Sequence, residues 1–176
     1  MQAPRHMKQG CAVMAAFCLV LAVLAVASAV APWIWLSGFV QHWGVFDGFR
    51  FDPQAIGADV RIAGALAGLI PAGLAAYGLL RLGRVFVDFA SGRAFSASSV
   101  RGFRAFALAV LGVGLLEPVA KAFQGLALTW VSQEPELALT VQGEDLRLIV
   151  IGVLLLSFSM IFRYGEVMAD EQAHLL

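Results

Sequence analysis

Charge is what this sequence has least of. Asp, Glu, Lys and Arg make up 14% of its 176 residues and hydrophobic residues 60%, against about 25% and about 45–50% in soluble domains. A water-soluble fold of this length cannot hide so much apolar surface, which leaves the bilayer as the expected solvent. The formal charges cancel to zero, and that argues against direct binding of nucleic acid. Cysteine is also scarce. Cys11 and Cys18 share the first apolar block, seven residues apart, so on one helix their backbones stand roughly 10 Å apart, beyond the roughly 7 Å a disulfide tolerates. They read as small apolar side chains, and Phe17 before Cys18 is too bulky for a lipoprotein acceptor site. His6, His42 and His174 all lie outside the apolar blocks, so an intramembrane histidine pair for haem is missing. No Gly-x-Ser-x-Gly elbow, His-Glu-x-x-His helix or Walker loop occurs. The reading is therefore of a non-enzymatic chain with no cofactor and no metal site.

What is present is four long apolar blocks. They predict an all-α integral membrane four-helix bundle forming a single transmembrane domain over residues 1–176, with spans at about 11–36, 62–80, 105–131 and 146–162. Arg5, His6 and Lys8 precede the first block. That block exceeds the usual signal-peptide length and ends in Pro32, Trp33 and Trp35, so a retained anchor is expected rather than a cleaved signal. Residues 37–60 form a loop rich in acids and aromatic rings, among them His42, Trp43, Phe46, Phe49 and Phe51, with a short extended piece around 49–51. Its rings suit the membrane interface. In the second span Gly64, Gly68, Ala72 and Ala76 recur every four residues, which smooths one helical face for close packing by a neighbour. Pro71 interrupts the hydrogen-bond ladder there. Residues 81–104 are a basic connection in which Ser91 and Gly92 break one helix and Ser96 N-caps the next, a helical hairpin protruding from the membrane. Between the third and fourth spans, residues 137–141 alternate weakly enough to allow a short strand. After Arg163 and Tyr164 the tail resembles a frayed amphipathic helix.

Four spans place both termini and the basic connection on one side. That side holds Arg5, Lys8, Arg81, Arg84, Arg93, Arg101, Arg104 and Arg163, whereas the other has Arg50, Arg61 and Arg147. The positive-inside rule makes the first side cytoplasmic and the loops on the other short and extracytoplasmic. Acids lean outward: Asp47, Asp52, Asp59, Glu134, Glu136, Glu144 and Asp145. Without the spacing of a calcium loop they read as a solvated face. Trp33, Trp35, Trp43 and Trp130 all fall at or beyond the outer interface, and Tyr77 and Tyr164 at the inner one.

Two stretches carry a family resemblance. In SGRAFSASSVRGFR the carriers are Gly92, Phe95, Ser96, Val100, Arg101 and Arg104, and in IFRYGEVMADEQ they are Phe162, Arg163, Gly165, Glu171 and Gln172. From the second span through the tail the chain resembles a family of small bacterial four-span membrane proteins known as a domain of unknown function. Ser99 stands where that family usually shows Asn, and the chain closes on Ala173, His174, Leu175 and Leu176 instead of a short β-prone ending. Members are often encoded beside a small helix-turn-helix regulator, so the resemblance implies a membrane partner in regulation.

Chemistry at bilayer depth is confined to the third span. Glu117 and Lys121 are four apart with the acid first, the better orientation for a helical ion pair, and Gln124 lies on the same stripe. A charge at that depth costs about 2.5–3.5 kcal/mol on insertion scales. Pro118 leaves the carbonyl of Gly114 without its helical donor, an acceptor for a lysine or water. The pair either neutralises itself and fixes helix register or serves an ion, a proton or a substrate. Arg81, Arg84, Arg93, Arg101 and Arg104 act as topology determinants and anionic-lipid contacts, each worth around 1 kcal/mol near a charged surface, or dock an acidic partner. The leading expectation is an inner-membrane protein of regulatory or interaction type, with the bilayer, a cytoplasmic regulatory protein and a second copy of itself as partners. The alternative is a small ion- or proton-coupled transporter using Glu117 and Lys121.

Overall fold

A computed structural model describes residues 5–36, 38, 56–92, 96–130, 139 and 141–173, with the side chains of 5, 6, 162 and 165–173 left aside. Among the described residues there are four helices and no strand: α1 (Arg5–Ile34), α2 (Ala58–Ala90), α3 (Ala97–Thr129) and α4 (Gly143–Ala173). The all-α architecture is as the sequence reading expected. Of the loop expected at 37–60, residues 38 and 56–60 are described, and its end is already helical because α2 starts at Ala58; the rest of it, the extended piece at 49–51 and most of the weak strand at 137–141 lie outside the described residues.

Each helix outruns its apolar block. α2 has 33 residues, about 50 Å at 1.5 Å per residue, against a hydrocarbon core of about 30 Å. The excess lies mostly beyond residue 80, where arginines begin. α1, α2 and α3 are each long and apolar enough to cross a membrane. The most apolar window, in α1, has mean hydropathy 2.8 and only 11% of it is buried in the protein. Phe17, Leu24, Ile70, Leu154 and Phe158 are all more than half exposed. Water would not tolerate such contiguous surface, whereas lipid is its natural neighbour.

Pro32, Pro71 and Pro118 sit inside helices that continue through them, as membrane helices allow when neighbours re-satisfy the backbone. The helices are arranged as an open row: α1 packs on α2, α2 on α3 and α3 on α4, and among the described residues no other pair of helix backbones packs closely. Close approach depends on missing side chains. A Cβ on Gly64 would run into the Trp33 ring, one on Gly78 into Ala109, and one on Gly152 into the backbone of Leu111. Trp33 is covered by protein at the helix ends where the outer interface is expected. It is 3% exposed and packs with Leu36, Ile56, Val60 and Leu128, because the notch at Gly64 admits its ring, while Trp35 and Trp130 are exposed.

The turn between α2 and α3 follows from local chemistry. Gly92 takes φ 78°, a left-handed conformation that costs other L-residues roughly 1–2 kcal/mol, and its N–H returns to the Phe89 carbonyl at 3.0 Å, which ends the helix. Ser96 N-caps α3 by accepting the Ser99 N–H at 3.3 Å. Asp88 Oδ2 accepts from the hydroxyls of Ser98 at 2.7 Å and Ser99 at 3.4 Å. An acid in the last turn of α2 opposes that helix's dipole, but here it faces the N-terminus of α3, where negative charge is favoured.

Candidate functional site

The first turn of α4 carries Glu144 and Asp145, acids placed where unsatisfied N–H groups leave partial positive charge. Asp145 turns back so that Oδ2 accepts the Gln142 N–H at 2.8 Å, the reach-back half of a capping box. Its other oxygen, Oδ1, accepts from Lys121 Nζ of α3 at 3.1 Å, and Lys121 also donates to Gln142 Oε1 at 3.4 Å. The aspartate side chain is 1% exposed and the lysine 32%, so a half-solvated ammonium reaches in to a buried carboxylate whose two oxygens are both engaged. Gly114 allows this, since a Cβ there would press on the Asp145 carbonyl oxygen at 3.1 Å. Asp145 is thus not part of a solvated acidic face but the clamp between α3 and α4.

Glu117 is placed differently from the expected helical pair. The ion pair of Lys121 is with Asp145, and among the described residues Glu117 makes neither a hydrogen bond nor an ion pair. It lines a cleft of about 280 Å³ bounded by Ser28 of α1, Gly68 and Pro71 of α2, and Gln124 of α3. Gln124 crosses to α2, its Nε2 donating to the Gly64 carbonyl at 3.2 Å. The acceptors of Lys121 are Asp145 and Gln142, so it does not serve the carbonyl that Pro118 frees. Of the small stripe on α2, Gly64 receives Trp33, Gly68 lies beside Gln124 and Ala29, Ala72 lines the cleft, and Ala76 is half-buried. A wider apolar groove of about 670 Å³ opens between α2 and α3, walled by Ile70, Pro71, Val119, Phe123 and Trp130 with Asp59 at its rim.

At the hairpin end the arginines divide. The Arg81 guanidinium carbon sits 5.0 Å over the Tyr77 ring, a cation–π contact. Arg84, Arg101 and Arg104 are exposed, and Arg93 lies outside the described residues. Arg101 and Arg104 share a groove of about 480 Å³ with Arg163. In the sequence Arg163 counts toward topology and the family resemblance, with nothing linking it to Arg101 and Arg104. The antiparallel pairing of α3 and α4 brings the exit of one helix beside the entry of the other, and that adjacency was the available signal.

A family model described as a protein of unknown function (DUF2975) matches residues 53–174. The match takes in α2, α3 and α4 and leaves α1 outside it. No curated protein and no solved structure matches the chain.

Proposed function

We propose that this chain, which belongs to the DUF2975 family, is a four-span protein of the bacterial inner membrane with both termini in the cytoplasm, acting without catalysis by docking an acidic regulatory protein on its α2–α3 hairpin. The observation that carries the reading is the hairpin itself. It extends about 15–20 Å past the apolar part of α2, by the 1.5 Å rise per residue, and is fixed by the Gly92 turn, the Ser96 cap and the Ser98–Asp88 bond. A stiff, exposed, arginine-bearing projection gives a partner charge complementarity without an ordering cost. The test is capture from detergent with Arg81, Arg84, Arg93, Arg101 and Arg104 intact or replaced by Gln. The reading expects a cytoplasmic protein recovered with the parent and lost from the variant. Identical partner sets from both remove the docking reading.

A second reading draws on the cleft at Glu117. A carboxylate with no ion-pair partner among the described residues, beside Ser28 and Gln124 in a cavity at bilayer depth, has the composition of a cation or proton step in transport. Flux in proteoliposomes would then fall for Glu117→Gln with folding preserved. Unchanged flux rejects this second reading.

A further inference from the structure

At the hairpin end, α3 and α4 enclose a groove whose two halves differ in chemistry. Arg101 and Arg104 from the first turns of α3 and Arg163 from α4 stand at its mouth, and Leu108, Leu156 and Met160 line it deeper along the same helices. No carboxylate is among its described lining residues. The Ser159 hydroxyl is engaged with the Leu156 carbonyl at 2.7 Å, which leaves the guanidinium groups as the principal polar feature.

From this juxtaposition we infer that the groove is a binding site for one anionic glycerophospholipid, its phosphate held by Arg101, Arg104 and Arg163 and an acyl chain laid along Leu108, Leu156 and Met160. Guanidinium forks match phosphate oxygens in pairs, and basic pockets between membrane helices on the cytoplasmic side favour anionic headgroups. A zwitterionic headgroup would bring an ammonium against three cations. A soluble phosphate compound would use the arginines and leave the apolar floor unfilled. An acidic peptide reaching Leu156 would carry unpaired backbone groups to hydrocarbon depth, where each costs several kcal/mol. The site shares with the docking proposal its membrane placement, and it needs no protein partner.

The experiment is native mass spectrometry of the intact chain in maltoside detergent with phosphatidylglycerol or phosphatidylethanolamine titrated in equal amounts. The parent retains one phosphatidylglycerol in preference to phosphatidylethanolamine. Replacing both Arg104 and Arg163 by Gln weakens retention about 30-fold, from two contacts near a charged surface. Leu156→Trp, which fills the floor and leaves the charges, weakens it as well, and circular dichroism checks that both variants fold. Arg147→Gln, exposed at the opposite end of α4 and outside the groove, leaves retention unchanged. Equal retention of the two lipids by the parent overturns the inference. So does undiminished retention in the double arginine variant, or release of the lipid by an equal concentration of glycerol 3-phosphate. Failure of partner capture has no bearing on this readout, and loss of lipid selectivity with partner capture intact would remove this site alone.

Discussion

At Lys121 two carboxylates compete, Glu117 one turn back on the same helix and Asp145 from the first turn of α4, and the second holds the ammonium at 3.1 Å. The reason is preorganisation. Asp145 is fixed before the lysine arrives, because its other oxygen already accepts the Gln142 N–H at 2.8 Å and the N-terminal dipole of α4 favours its charge. Helical spacing alone could have found only Glu117, since the rule of four sees neighbours on one helix and is blind to what another helix delivers. Neither the cap at Gln142 and Asp145 nor its burial stood out in the sequence, where Asp145 is one of a run of outward acids, and burial depends on Gly114 meeting α4. A double-mutant cycle separates the two acids. Lys121→Met with Asp145→Asn should show a coupling of about 1–2 kcal/mol, whereas Lys121→Met with Glu117→Gln should stay below about 0.5 kcal/mol. The measurement is reversible unfolding in mixed micelles. Asp145→Ala, which removes the reach-back bond as well, should cost about 2–3 kcal/mol. A larger coupling for Glu117 than for Asp145 would return the pair to the single helix.

Among the elements, the α2–α3 hairpin was the most legible, because it is built from local signals. Ser91 and Gly92 announce a helix end, Ser96 a helix start, and the structure uses all three. The packing faces were half legible. The stripe from Gly64 to Ala76 declares itself by repetition, but Gly78 on another face of α2 does not, since its meaning comes from Ala109 and Phe106 across on α3. The role of Asp88 is hidden for the same reason: in the sequence it is the single acid among the arginines of the connection, until Ser98 is brought to 2.7 Å. The hairpin's stability should therefore respond to its local signals while the spans do not. Gly92→Val places a β-branched residue at φ 78° and should cost roughly 1–2 kcal/mol locally, and Ser96→Ala about 1 kcal/mol. Hydrogen exchange should report both as faster exchange over residues 84–104 with 62–80 unaltered. Uniform loosening of the whole chain would mean the hairpin and spans open as one unit.

For the molecule as a whole, the open row of helices is what the sequence least disclosed. Apolar blocks count spans without ordering them in space, and in lipid little drives a row to close, because acyl chains cover outward faces as well as a fourth helix would. Among the described residues α1 consequently packs its backbone on α2 alone and meets α3 only through side chains such as Trp33 beside Leu128, and its removal should leave the rest assembled and oriented as before. Charge makes the same forecast. Deleting residues 1–36 removes Arg5 and Lys8, yet Arg81, Arg84, Arg93, Arg101, Arg104 and Arg163 still outweigh Arg50, Arg61 and Arg147, so the positive-inside preference of the three remaining helices is unchanged. The deletion also removes Cys11 and Cys18, so a cysteine introduced at exposed Ser91 or exposed Leu139 becomes the sole thiol. In intact spheroplasts a membrane-impermeant maleimide should label Leu139→Cys at once and Ser91→Cys only after permeabilisation, both in the truncated chain and in the full chain carrying Cys11→Ser and Cys18→Ser. Labelling at Ser91→Cys without permeabilisation in the full chain would invert the topology and take the arginine hairpin away from any cytoplasmic partner. The same result in the truncated chain alone would show that α1, with its two basic residues, sets the orientation in place of the basic connector.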